Sequence, residues 1–231
     1  MSRKSEIPIT DKARRDFMLL SALFVSALIT CNLIANKFVA LDLGFKTFII
    51  SAGVLPYPIT FLITDILSEI YGKKKTQEVV LFGFAAALFT LLILLLGASF
   101  EAIPNSVVSD ETYNQVFKNS WRLIGASMVA YIVAQLVDVR LFHFWKRLTK
   151  GRMLWVRNNF STILSQLVDT TLVVTIIFIG REDLPTIGRY ILDGWIFKVI
   201  IAALDTPFFY AGVYWYRKKY HLSSAHQEVD F

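Results

Sequence analysis

Apolar runs of about twenty residues recur along the whole chain, separated by short stretches that collect lysine, arginine, aspartate and glycine. A helical run of about 20 residues crosses roughly 30 Å of hydrocarbon. Six such spans are predicted, at about Phe17–Asn36, Phe48–Ile70, Val79–Phe100, Leu123–Phe144, Phe160–Gly180 and Ile191–Tyr216. Inside lipid the backbone must satisfy its own N–H and C=O groups, so spans are helices or strands of a closed barrel, and the period-two alternation of a barrel is missing. The expected fold is an all-α integral membrane protein. Residues 1–231 form a single transmembrane helical domain, with no stretch left over for a separate soluble domain.

Composition agrees with the pattern. With 55% hydrophobic residues and a mean hydropathy of +0.53, the chain lies above the usual range for a soluble domain. The net charge of +6 takes its meaning from position. Arg3, Lys4, Lys12, Arg14 and Arg15 precede the first span; Lys73, Lys74 and Lys75 follow the second; Lys146, Arg147, Lys150, Arg152 and Arg157 separate the fourth from the fifth; Arg217, Lys218 and Lys219 follow the sixth. With six spans these all share one side. The opposite loops hold Lys37, Lys46, Lys118, Arg122, Arg181 and Arg189 mixed with acids. The positive-inside rule then puts both termini in the cytoplasm, and the basic balance needs no nucleic-acid partner. Glu6, Asp11 and Asp16 ahead of the first span, with no small-residue cleavage site after it, favour a retained helix over a signal peptide. Cys31 is the lone cysteine, so no internal disulfide forms; nothing near it has metal-ligand spacing, and neither metal nor cofactor is expected.

The residues that need an explanation are those the bilayer penalises. Asp65 and Glu69 fall in the second span, Asp138 in the fourth, Asp169 in the fifth, and Lys198 with Asp205 in the sixth. A central Asp or Lys costs about 2.5–3.5 kcal/mol, so partners or water are required. Helical spacing gathers the polar groups of each span on one face: Asn32 with Asn36; Phe61, Asp65 and Ser68 or Glu69; Tyr131, Gln135 and Asp138; Thr162, Gln166 and Asp169; Lys198 with Asp205. Several of these can serve simply to join helices. Glu69, one turn from the lysine run, reads as interfacial, and Arg140 is close enough to Asp138 to help solvate it. Asp169 sits midway along its span, out of reach of water; a buried salt bridge to Lys198 is the purely structural alternative to a ligand-binding role, and such a bridge could itself belong to the site. The third span has no comparable polar group, which leaves it to face lipid or a second copy of the chain.

Two further features add to this. The tetrapeptide Gln135-Leu136-Val137-Asp138 returns as Gln166-Leu167-Val168-Asp169, which suggests one cavity lined from neighbouring antiparallel helices. Pro56 and Pro58 remove two backbone donors just before Thr60 and Asp65, as in the broken helices that line transporter sites, although a packing kink accounts for them equally well. Pro207 is expected to bend the sixth span one turn after Asp205.

The segments "LPYPITFLITDILSEIYG", "AYIVAQLVD", "STILSQLVDT" and "FKVIIAALDTPFFY" closely resemble the queuosine precursor transporter family, also called the vitamin uptake transporter family. The resemblance runs from the first span to the sixth. It implies a six-helix protein of the bacterial inner (cytoplasmic) membrane that imports deazaguanine precursors of the modified tRNA base queuosine, with an architecture similar to the substrate-binding subunits of energy-coupling-factor vitamin importers. The family's motifs fall here on Thr64 and Asp65, on Gln135 and Asp138, on Asp169 and Thr170, and on Lys198.

The chemistry suits such a ligand. A deazaguanine is planar, with adjacent N–H donors on one edge beside a carbonyl; a carboxylate accepts two hydrogen bonds while an amide or cation serves the carbonyl. Asp169 is the first choice for the donor edge. Gln166, Asn36 and Lys198 are candidates for the acceptors, and Phe61, Tyr131 or Phe197 for stacking; Asp65, Gln135, Asp138, Asp205 and Thr170 complete the candidate set. The alternative is a substrate-capture subunit that works with a separate ATP-driven module. An intramembrane aspartyl protease would need Gly-x-Gly-Asp and Tyr-Asp elements, which are missing, as are a phosphate loop and a histidine cluster; no enzyme is expected.

Overall fold

The computed structural model describes residues 11–35, 37–42, 44, 47–118, 121–150, 152–180, 182–222 and 227–229. Six helices are long and apolar enough to cross a bilayer. They are α1 (Asp11–Leu33), α2 (Tyr57–Ile70, with the 3-10 turn Ala52–Val54 ahead of it), α3 (Lys73–Gly97), α5 (Trp121–Leu148), α6 (Leu154–Phe178) and α7 (Leu184–Lys219). A short helix, α4 (Asp110–Tyr113), continues into a π-helical turn between α3 and α5. At about 1.5 Å per residue the 36 residues of α7 reach about 54 Å, well past the hydrocarbon.

The second span departs from the hydropathy reading. Residues 48–51 belong to strand β2 (Thr47–Ser51), which pairs antiparallel with β1 (Phe38–Asp42), Phe38 opposite Ser51 and Asp42 opposite Thr47. A short apolar run does not declare its period, and Thr-Phe-Ile-Ile suits a pleated strand as well as a helix. Phe48 and Ile50, two apart, point the same way and pack on Phe197 of α7, with 5.2 Å between the Phe48 and Phe197 rings. The prolines also act differently from the expected break. Pro56 precedes α2 and Pro58 occupies its first turn, where a missing N–H costs nothing, so they start the helix. In the sixth span α7 is continuous through Pro207.

The stripe Leu20, Phe24, Leu28 and Cys31 turns α1 inward, whereas α2 is buried on nearly every face and forms the centre of the bundle. Leu81, Phe82, Leu88, Phe89, Leu92 and Leu96 of α3 face outward, as its composition requires. Gly72, with φ +83°, provides the left-handed turn that sends α3 back from α2.

One end of the bundle collects the basic helix termini. Glu69 of α2 is fully buried and is met there by Arg157 of α6 (2.9 Å), Arg217 of α7 (2.8 Å) and Lys146 of α5 (3.6 Å). Lys219 and Tyr220 both reach Asp16 of α1, and Tyr71 donates to the Ala13 carbonyl at 3.0 Å. The chain near its end returns to the same place: the Val229 N–H bonds the Ile70 carbonyl at 2.8 Å, and Glu228 pairs with Lys146 at 3.4 Å. Glu69 is therefore no interfacial residue. It is the buried anion that joins four helices.

Candidate functional site

A cavity of about 310 Å³ opens between α2, α6 and α7. From α2 come Tyr57 and Phe61, one turn apart; from α6, Thr162 and Gln166; from α7, Phe197, Lys198, Ile201, Ala202 and Asp205; Val54 and Pro58 close one wall. The i, i+4 and i, i+7 spacings place each set on a single helix face. Two hydrogen bonds fix α7 against α6 on either side of the cavity: Trp195 donates to the Ile163 carbonyl at 2.9 Å, and Thr206 to the Asn159 side-chain oxygen at 3.0 Å.

The centre of charge is an ion pair. Lys198 Nζ lies 2.5 Å from Asp169 Oδ2 and 4.7 Å from the centroid of the Tyr57 ring, so a carboxylate and a π-face both hold the ammonium. The side chain of Asp169 is 3% exposed and that of Lys198 is 14% exposed, so the pair is buried with its cationic end toward the cavity. The Gln166 side-chain oxygen is buried without a hydrogen-bond donor among the described residues. Asp205 is half-buried on the same wall and has no ion-pair partner among the described residues. Tyr57, Phe61 and Tyr131 form an aromatic cluster with ring centroids 5.3–6.3 Å apart. The site thus presents flat apolar faces beside a cation backed by the Asp169 carboxylate, the Asp205 carboxylate and an amide oxygen, a set that grips a planar ligand with both donors and acceptors.

The candidate residues divide into two layers. Phe61, Gln166, Lys198 and Asp205 line the cavity, as does Phe197, and Asp169 stands directly behind Lys198. Asp65, Gln135, Asp138, Tyr131 and Thr170 are buried but outside the lining. Asn36 lies outside the described residues. The two Gln-Leu-Val-Asp stretches therefore do not line one cavity. Gln166 and Asp169 of α6 serve it, whereas on α5 Gln135 donates to Thr64 and Asp138 accepts from Ser165 at 2.9 Å. The physical reason is that α5 is not part of the wall: its polar stripe turns toward α2 and α6. Arg140 is exposed and gives Asp138 no help. Tyr57 escaped the sequence reading, since the prolines drew attention to a break. Its signal was its place one turn before Phe61 and two before Asp65 on the same stripe.

A family model described as "Putative vitamin uptake transporter" matches residues 51–212. The chain is similar to the "Probable queuosine precursor transporter" of Bacillus subtilis, with 28% identity over 160 residues covering 69% of each chain. It is also similar to the "Queuosine precursor transporter" of Escherichia coli, with 26% identity over 185 residues, 73% of this chain and 74% of the other. A third relative, the "Probable queuosine precursor transporter" of Haemophilus influenzae, is 28% identical over 134 residues, 57% of this chain and 53% of the other. No solved structure matches the chain.

Proposed function

Because the chain belongs to the vitamin uptake transporter family, and is a multi-pass membrane transporter and not an enzyme, we propose that it imports deazaguanine precursors of queuosine across the bacterial inner membrane. One observation carries this reading: aromatic faces, a lysine–carboxylate pair and an unpaired amide oxygen converge on one cavity of about 310 Å³. Asp169 and Asp205 accept from the N–H edge, Lys198 donates to the carbonyl, and Gln166 takes a further N–H. Phe61 and Phe197 stack on the ring, and Tyr57 holds Lys198 in place.

Import fixes the orientation. Lys73, Lys146, Arg157, Arg217 and Lys219 belong to one end of the bundle, and that end is the cytoplasmic one by the positive-inside rule. Reporter fusions after Lys75, Arg152 and His221 should read cytoplasmic, and one near Asn105 external. An external signal at any of the first three refutes the orientation.

The functional test is a binding panel on purified protein with queuosine precursors, queuine, guanine and biotin. The precursors should bind and biotin should not; the reverse would replace this reading with vitamin carriage. Uptake by cells given this gene alone, without energising subunits, separates a solitary transporter from a capture subunit. In the same panel Tyr57→Leu removes the ring beside Lys198 and should weaken precursor binding by about 1 kcal/mol, or roughly fivefold. Tyr57→Phe keeps the ring and should stay close to the wild type. Equal affinities for all three proteins would show that the ring does not brace the lysine.

A further inference from the structure

Behind the cavity lies a pair of acids that the binding chemistry does not use. Asp65 of α2 is 2% exposed and Asp138 of α5 is fully buried, and one turn of α6 brings them together, Thr162 donating to Asp65 and Ser165, itself bonded to the Thr162 carbonyl, donating to Asp138. Neither has an ion-pair partner among the described residues. The cations nearby are already held: Lys198 by Asp169, and Arg157, Arg217 and Lys146 by Glu69, one turn from Asp65 on α2. The Tyr131 phenol of α5 faces Asp138, and beyond it stand the Cys31 thiol of α1, the Tyr57 phenol of α2 and Asp169 of α6, which surround the tyrosines rather than the pair itself. None of these brings a positive charge.

The supply of donors is equally short. The Ser165 hydroxyl reaches Asp138 Oδ1 at 2.9 Å but also has the Thr162 carbonyl at 3.0 Å, and the Thr162 hydroxyl reaches Asp65 Oδ2 at 3.4 Å. The Ser161 hydroxyl, also near Asp138, is shared with the backbone carbonyl of Arg157 at 2.7 Å. Asp65 Oδ1 and Asp138 Oδ2 are buried and have no hydrogen-bond donor among the described residues. Two neighbouring buried carboxyls with no cation partner among the described residues repel one another strongly when both are ionised in the closed site, whereas a single proton held between them relieves that repulsion and adds a hydrogen bond; the doubly ionised state is reached only when the site opens to water.

We propose that the Asp65–Asp138 pair holds one exchangeable proton and couples proton movement to substrate movement, making the protein a proton-linked importer. Thr162 makes the connection, since it lines the cavity and also donates to Asp65. With the cavity open to the outside, the pair takes a proton from external water, one carboxyl O–H forming as one O–H of hydronium breaks. With the cavity open to the cytoplasm it returns that proton to internal water, so one proton enters with each base. The proposal rests on the substrate reading above, and its tests fail separately from that reading.

In proteoliposomes, external deazaguanine should acidify the lumen as it enters, read by a trapped pH dye. A gradient of one pH unit, acid outside, should drive accumulation up to about tenfold, because one unit is one decade per proton. Asp138→Asn should still exchange labelled for unlabelled base across the membrane but lose the accumulation. A lumen pH that does not move during uptake, or accumulation that persists in Asp138→Asn, overturns the coupling. Infrared difference spectra of the purified protein test the proton without any substrate: a carboxylic-acid C=O band should be present at neutral pH and absent from the Asp65→Asn, Asp138→Asn double variant. A wild-type spectrum with no such band overturns the shared proton. Wild-type vesicles that neither exchange nor take up the base would refute the substrate reading, while the infrared band would still decide whether the pair holds a proton.

Discussion

Glu69→Gln is expected to destabilise the protein by about 3–5 kcal/mol, the usual cost of removing one partner from a buried ion pair. The size of the effect comes from what is left behind. The side chain of Arg157 is 2% exposed and lies 2.9 Å from the Glu69 carboxylate, so without that charge a guanidinium remains in the interior with an amide for a partner. Arg217 is 21% exposed and turns to water more easily, and Lys146 keeps Glu228. The stranded charge is therefore essentially that of Arg157, and the double change Glu69→Gln, Arg157→Met should recover most of the lost stability. Thermal unfolding in detergent, read on the wild type and both variants, provides the measurement. A melting temperature unchanged by Glu69→Gln would mean that water reaches the cluster and that it contributes little to holding α2, α5, α6 and α7 together.

Why the sequence marked some of these features and missed others follows from the range of each signal. Length and hydropathy are local, so six apolar helices could be read directly, although their ends differ from the expected bounds by up to nine residues. The i, i+4 stripes are local as well, and so each helix's polar face could be identified, with the Asp169–Lys198 pair legible only as an alternative to a direct ligand contact. What a stripe does not reveal is which neighbour it faces. Gln135 and Asp138 carry the same motif as Gln166 and Asp169, yet α5 turns its copy into the interior and α6 presents its copy at the cavity. The hairpin at Phe38–Ser51 was hidden because the three apolar residues of β2 continue smoothly into the apolar start of the second span. Glu69 looked interfacial for a similar reason: its three cations come from residues 146, 157 and 217, and no pattern of adjacent positions brings them together. Arg157 in particular was counted with a loop and is instead in the first turns of α6.

Asp169→Asn should lower deazaguanine affinity roughly a hundredfold, about 2.7 kcal/mol, through loss of a charge-assisted hydrogen bond and a donor clash on the base. The side chain keeps its size, so the change is chemical: one carboxylate oxygen becomes an NH₂ group that meets the N–H edge of the ligand with a second donor. Because Asp169 also holds Lys198 at 2.5 Å, the single variant should lose stability as well, and stability alone cannot assign the residue its role. A charge-neutral double variant separates the two effects. In Asp169→Asn, Lys198→Met no ammonium is left uncompensated, and replacing a buried ion pair by neutral groups of similar volume is often neutral or stabilising. Its melting temperature should return to near that of the wild type. Its affinity should not, because both the acceptor for the N–H edge and the donor for the carbonyl are gone. Binding and unfolding measured on the same preparations decide the point: a double variant that regains both stability and affinity would make Asp169 and Lys198 a strut between α6 and α7 and move the recognition of the base to Asp205 and Gln166.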